Sequence, residues 1–149
     1  MTPSPATRHQ RISGHLYFQL YQAIHLAGLG DVLSAPTDVV LSDTDIVVPD
    51  LLVVLAANRK IVTKKNVQGA PDLIVEITSP STFSRDREEK RCLYEKHGVP
   101  EYWVVLAEDD AVEKFCLAGD VYANRGLFHD RVDLDVLEGV SVDLTRLWE

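Results

Sequence analysis

The strongest constraint in this sequence comes from two runs of apolar residues. Ile46 to Leu55 and Asp72 to Thr78 consist almost wholly of branched and aliphatic side chains. A strand with one wet face alternates apolar and polar residues, whereas a near-continuous apolar strand is covered on both faces. Both runs therefore read as central strands. The order along the chain is helix, strands, helix, strands, so the expected architecture is an α/β sandwich, a central sheet flanked by helices.

The helices are marked by spacing and by their ends. From about Thr7, Ile12, Leu16, Leu20, Ala23 and Ala27 recur at helical spacing, and Gly28 and Gly30 offer the stop. Gly28-Leu29-Gly30 lacks the third glycine and the preceding strand of a dinucleotide-binding turn. A second helix is expected from Ser84, with Asp86, Glu88 and Glu89 in its first turn and a stop at Lys96-His97-Gly98 before Pro100. Asn58 to Gly69 is polar and basic and reads as a loop. Val39 to Leu41, Tyr102 to Ala107 and a hairpin turning at Ala118-Gly119-Asp120 add strands, and Val132 to Trp148 adds short ones. No repeat or linker interrupts the 149 residues, and a single domain spanning 1–149 is expected.

Composition narrows the class. At 46% apolar and 26% charged residues the chain is globular rather than disordered. The longest all-apolar stretch, Leu51 to Ala57, is too short to cross a bilayer, and no basic start leads into an apolar segment. Cys92 and Cys116 form no CxxC and no disulfide framework, which favours a reducing compartment. A cytoplasmic protein with no membrane partner is the expectation. The formal net charge of −8 argues against a non-specific nucleic-acid coat protein. The charge is uneven, with a net of −3 over residues 1–57, +3 over 58–100 and −8 over 101–149. A basic rim on an acidic body can hold an anion, although ordinary surface fluctuation produces the same numbers.

Two acids break the apolar runs. Asp50 sits among Ile46 to Val54, and Glu76 sits among Leu73 to Ile77. An ionised carboxylate there is costly unless it is paired or metal-bound. Pro49 removes a ladder donor, so its strand must be irregular or at an edge there. If the two strands are antiparallel neighbours with the acids in register, the Cβ atoms lie about 4.5–5.5 Å apart. Such carboxylates repel, and a hard divalent cation such as Mg²⁺ or Mn²⁺ removes the conflict. Alternatively, each acid points outward or meets an arginine, and pattern alone does not separate the two readings. Asp86, Lys90 and Tyr94 share one face of the second helix, from which Lys90 can reach toward Glu76; a surface Asp86–Lys90 pair is the plainer reading.

Pro49-Asp50, then Glu76, then a lysine resembles the PD-(D/E)XK nuclease superfamily. Gly69 to Thr82, Arg85 to Arg91, Tyr94 and Gly98-Val99-Pro100-Glu101-Tyr102-Trp103 resemble a bacterial family of restriction endonuclease type within it. Ser4-Pro5, Arg8-His9-Gln10 and Val48 to Leu51 match as well, so the resemblance covers essentially the whole chain. It implies a restriction-endonuclease-like sandwich with a mixed sheet, and Mg²⁺- or Mn²⁺-dependent hydrolysis of DNA phosphodiester bonds. Asp50 and Glu76 would be the metal-binding acids. In the wider superfamily the lysine lies two residues after the second acid; here that position is Thr78, and Lys90 of the following helix takes the role. His9 matches a recurrent family histidine. Thr78, Asp86 and Tyr94 are, with His9, further auxiliary candidates beside Lys90. Family members carry an upstream strand-forming segment with its own acid, which this sequence is expected to lack. If the chain is active, the basic loop Arg59, Lys60, Lys64 and Lys65 is expected to track phosphates without reading sequence.

The rival reading is a catalytically inactive nuclease-like fold kept for dimerisation or regulation, motivated by Thr78 and the net charge. Serine hydrolysis at Ser79 or Ser81 lacks a nucleophile elbow. Zinc lacks ligand spacing among five histidines and two cysteines. Tyr17, Phe18 and Tyr21 leave aromatic surface on more than one face of the first helix, and a homodimer is expected.

Overall fold

The computed structural model describes residues 6–78 and 84–149. The lead-in Thr2 to Pro5 and the Ser79-Pro80-Ser81-Thr82 stretch lie outside the described residues. A six-stranded mixed sheet forms the centre. In spatial order it contains β1 (Gly30–Ser34), β4 (Leu51–Leu55), β6 (Leu73–Ile77), β7 (Glu101–Leu106), β8 (Ala111–Ala118) and β9 (Val121–Phe128). The β6–β7 pair is parallel, with the helix α2 (Ser84–Lys96) between the two strands in sequence; the other neighbours are antiparallel.

Within the apolar runs, Leu51 to Val54 and Leu73 to Ile77 are covered on both faces. Leu51, Val53, Leu73, Val75, Ile77, Trp103 and Val105 face one core, which α1 (Thr7–Leu20) closes with Ile12, Leu16 and Leu20. The intervening Leu52, Val54, Ile74, Tyr102 and Val104 face a second core, capped by Tyr94 of α2 and by Val39 and Val67. Those two valines belong to a small sheet of β2 (Val39–Val40), β3 (Ile46–Val47) and β5 (Val67–Gln68). The α1-side core is completed by Val132, Leu134, Val142, Leu144 and Leu147, from the region of β10 (Arg131–Asp133) and β11 (Ser141–Asp143).

Three local expectations change. The run from Ile46 to Leu55 is not one strand: the ladder breaks over Val48-Pro49-Asp50, where proline has no N–H to give, and Ile46 and Val48 are exposed. The loop expected at Asn58 to Gly69 contains part of a 3₁₀ helix (Ala56–Ile61) and β5. The first helix passes into a π-turn, Tyr21–His25, with Leu26 N–H bonded to the Tyr21 carbonyl. The buried positions Ile12, Leu16, Leu20 and Ile24 step by four residues, wider than the 3.6 of an α-helix. The extra residue of the π-turn brings Ile24 inward and leaves Ala23 half-buried and Ala27 exposed. Gly28 then ends the helix at φ +74°. At Gly30 a side chain would place Cβ 2.5 Å from the Val54 carbonyl oxygen, so β1 and β4 approach there only because the residue is glycine.

Candidate active site

The register of β4 against β6 is Leu51↔Val75, Leu52↔Ile74 and Val53↔Leu73. One further step sets Asp50 opposite Glu76, on the face that α2 covers. The ladder ends there in a side-chain exchange: Asp50 N–H donates to Glu76 Oε1 at 3.2 Å, and Ile77 N–H donates to Asp50 Oδ2 at 2.7 Å. On its other side the Asp50 carbonyl accepts the Ala35 N–H at 3.0 Å. Asp50 is therefore held by both neighbouring strands, although Pro49 breaks its own.

Helices on opposite faces converge on this end of the sheet. From α2, the Tyr94 hydroxyl donates to Glu76 Oε2 at 2.8 Å, and Lys90 Nζ lies 3.3 Å from the same oxygen and 3.8 Å from Asp86. From α1, His9 Nε2 lies 3.3 Å from Asp50 Oδ1. His9 Nδ1 is buried with no hydrogen-bond partner. A proton on Nδ1 would bury an unsatisfied donor at a cost of about 1–3 kcal/mol. The favoured tautomer thus carries its proton on Nε2, the ring nitrogen that faces Asp50.

Burial sets the electrostatics. Glu76 is 7% exposed, and desolvation raises its carboxyl above the ordinary range; Lys90 pulls it back and the Asp50 charge adds to the rise. Burial lowers the Lys90 ammonium, but Glu76 and Asp86 outweigh it, and the net shift is upward. The Tyr94 phenol is raised by burial and by Glu76. Three carboxylates thus face one ammonium.

Asp50 and Glu76 are the residues that could hold a cation. Their donors are all hard oxygens, and an ion that keeps several waters needs only one or two carboxylates, which fits Mg²⁺ or Mn²⁺. Among the described residues no group of three or more His, Cys, Asp or Glu side chains is arranged to hold a metal. Beside Asp50 a groove of about 270 Å³ opens between α1, at His9, Ser13 and Tyr17, and the end of β1, at Ser34 and Ala35.

The structure thus brings together Asp50, Glu76, Lys90, Tyr94 and His9, with Asp86 at the margin through Lys90. Thr78 stands apart from this contact network: its N–H and hydroxyl both donate to the Val105 carbonyl, at 2.9 and 3.0 Å, and extend the β6–β7 pairing. The basic loop is also apart. Arg59 and Lys60 lie on the 3₁₀ helix after the end of β4 remote from Asp50, and Arg59 pairs with Asp31 at 3.4 Å. Lys64 and Lys65 lie in the exposed turn that follows. Among the aromatic residues expected to mark a partner surface, Tyr17 and Tyr21 stack on each other and are half-buried, and Phe18 is 60% exposed.

A second buried polar cluster was not foreseen. Glu101 on β7 is fully buried: Oε2 accepts Trp103 Nε1–H at 2.6 Å, and Oε1 accepts the Asp135 and Val136 N–H groups at 2.8 and 3.0 Å. Lys114 of β8, 3.9 Å from Glu101, donates to the Asp133 carbonyl at 2.7 Å and bonds Asp135. The cluster ties the sheet to the segment after β10. Its sequence signal is the same one that marks Glu76, an acid within an apolar strand. Cys116 donates to Asp135, and burial pushes its thiol up to about 12, which makes it a poor nucleophile.

The fold is similar to that of a solved "putative nuclease belonging to DUF820" from Anabaena variabilis, with a TM-score of 0.80 at 15% identity, covering 99% of this chain and 84% of that one. No functionally curated protein matches the sequence. No helix among the described residues is long and apolar enough to cross a membrane. Residues 1–145 match the family Uma2, described as "Putative restriction endonuclease", and with nearly its whole length matched the chain belongs to that family.

Proposed function

We propose that the protein is a Mg²⁺- or Mn²⁺-dependent nuclease that hydrolyses DNA phosphodiester bonds. Asp50 and Glu76 are its cation ligands, and Lys90 is its catalytic ammonium. The observation that carries the reading is the convergence of Lys90 Nζ on Glu76 Oε2, 3.3 Å away, where Asp50 stands opposite Glu76 in register. The cation, when bound, would supply Lewis-acid activation of the scissile phosphate and of a water. Glu76 would hold it from β6 and Asp50 from the residue just before β4, which the Ile77 and Ala35 N–H groups fasten to both neighbouring strands. The Lys90 ammonium, with its pKa raised, remains charged at neutral pH and can orient the attacking water or oppose charge developing on the phosphate. His9 and Tyr94 act one step back, each holding one carboxylate in orientation.

The test is nicking of supercoiled plasmid with Mg²⁺ or Mn²⁺ and its loss with a chelator. Cleavage that persists undiminished in Asp50→Ala would reject the assignment, since a contaminating nuclease would then explain it.

One observation favours a second reading, a nuclease fold kept without catalysis. Each of the four Asp50 and Glu76 oxygens already takes a hydrogen bond or ion pair within the protein. A carboxylate oxygen offers about two acceptor sites, so these contacts do not exclude a cation. Thermal unfolding that ignores Mn²⁺, with no cleavage of any nucleic acid, would favour this reading.

A further inference from the structure

The outer face of α1 carries features that the fold does not use. A groove of about 580 Å³ runs between α1 and the chain after β11, lined by Arg11, His15, Phe18, Arg146 and, on the same side as Arg146, the Asp143 carboxylate. It shares Gln10 and Gly14 with the smaller groove that opens on Asp50, so the two meet across the solvent ridge of the helix. Arg8, Arg59, Arg91, Arg125 and Arg131 each pair with a carboxylate, whereas Arg11 and Arg146 have no ion-pair partner among the described residues. On a chain of net charge −8, a groove whose two arginines outnumber its one carboxylate, Asp143, is locally basic and suits an anion.

Gly14 is the second observation. Glycine within a helix weakens it relative to alanine. A Cβ at Gly14 would meet nothing within 4 Å, so no packing inside the protein calls for glycine there. Its effect is to leave the helix backbone open to approach from outside, at the point where the two grooves meet. Phe18, one turn further along, is 60% exposed and offers a flat apolar surface for an unpaired base.

We infer that single-stranded nucleic acid crosses α1 at Gly14 on its way to Asp50, with Arg11 and Arg146 on its phosphates and Phe18 stacked on a base. The inference rests on the nuclease reading for its direction, and it replaces the Arg59–Lys65 loop as the phosphate track.

The test is anisotropy of a labelled single-stranded oligodeoxynucleotide, titrated with the full chain in chelator so that no cleavage intervenes. Gly14→Gln, a better helix former with a long side chain, is expected to keep or raise the Tm while weakening binding about ten-fold or more. Arg11→Ala and Arg146→Ala should each flatten the slope of log affinity against log salt by about 0.7. A duplex of the same sequence should bind more weakly, and Phe18→Ala should erase that preference. Wild-type affinity in Gly14→Gln, an unchanged salt slope in the double arginine variant, or tighter duplex binding would each overturn the inference. Adding Mn²⁺ separates the two proposals. Binding without cleavage supports the groove and removes the nuclease reading, and cleavage with groove variants that bind normally does the reverse.

Discussion

Tyr94 and Glu76 are joined by a 2.8 Å hydrogen bond inside the α2-side core, where the tyrosine is fully buried and the carboxylate nearly so. The phenol packs edge-on against Tyr102, with ring centroids 5.0 Å apart, and this fixes the direction of its hydroxyl. Glu76 is thus aimed by the packing of an aromatic cluster as well as by its own strand.

Tyr94→Phe keeps the ring and removes the donor. Stability should fall by about 1–3 kcal/mol, read as the urea midpoint at constant m. Mn²⁺ affinity, followed by its effect on Tm, should drop about 10–100-fold because Glu76 loses its orientation. An unchanged Mn²⁺ response alongside lowered stability would leave Tyr94 a packing residue only.

Lys90→Gln removes the ammonium 3.3 Å from Glu76 while keeping a helix former. Nicking is expected to slow about 10²–10³-fold, with Mn²⁺ binding retained. Activity within a factor of about two of wild type would show that chemistry proceeds without Lys90.

Lys114 tests the other polar cluster. Its side chain is 5% exposed and stands against Glu101 and Asp135. Lys114→Ala leaves the buried Glu101 without its nearby cation and should cost about 3–5 kcal/mol. The urea midpoint reads the loss.

The pH dependence of stability follows from opposed shifts. Burial raises Glu101 above its ordinary 4.5, and Trp103 and the Val136 N–H only partly offset this. The folded state then holds more protons than the unfolded one, so the contribution is complete below about 4.5 and declines as pH rises through the folded pKa. Glu76 acts in the same sense. Asp135, held low by its bond from Lys114, and Asp45, held low by His97, work oppositely: their contribution is present above 3.8 and lost as pH falls through the lowered pKa. The urea midpoint should rise as pH drops from 7 toward 4.5 and fall again below 3.8. Glu101→Gln should flatten the first limb; an identical slope in the variant would remove Glu101 as its source.

Much of this was legible in advance because burial leaves a plain mark on composition. Apolar runs at 46–55 and 72–78 point to strands covered on both faces, which holds for 51–54 and 73–77, and an acid inside such a run stands out whatever surrounds it. Lys90 could be placed because helical spacing puts it on the face of Asp86 and Tyr94. The Pro49 break was foreseen as an irregularity, but its extent was not, since how far a ladder opens depends on which neighbours replace the lost bonds. The destination of the Arg59–Lys65 loop was invisible, because charge in a sequence says nothing about which end of a sheet receives it. Lys114 escaped notice because a lysine beside Glu113 in a hairpin strand reads as a solvated residue until the 133–135 segment covers it.

A clasp joins α1 to residues 143–148. Gln19 and Asp143 exchange bonds at 2.8 Å in both directions, and Arg8 donates to the Trp148 carbonyl at 3.2 Å. The helix that steadies Asp50 through His9 is therefore fastened by residues 143–148, more than 120 positions away along the chain. Loosening that clasp would free the helix without touching either acid, so orientation of Asp50 is tied to contacts far from it in sequence.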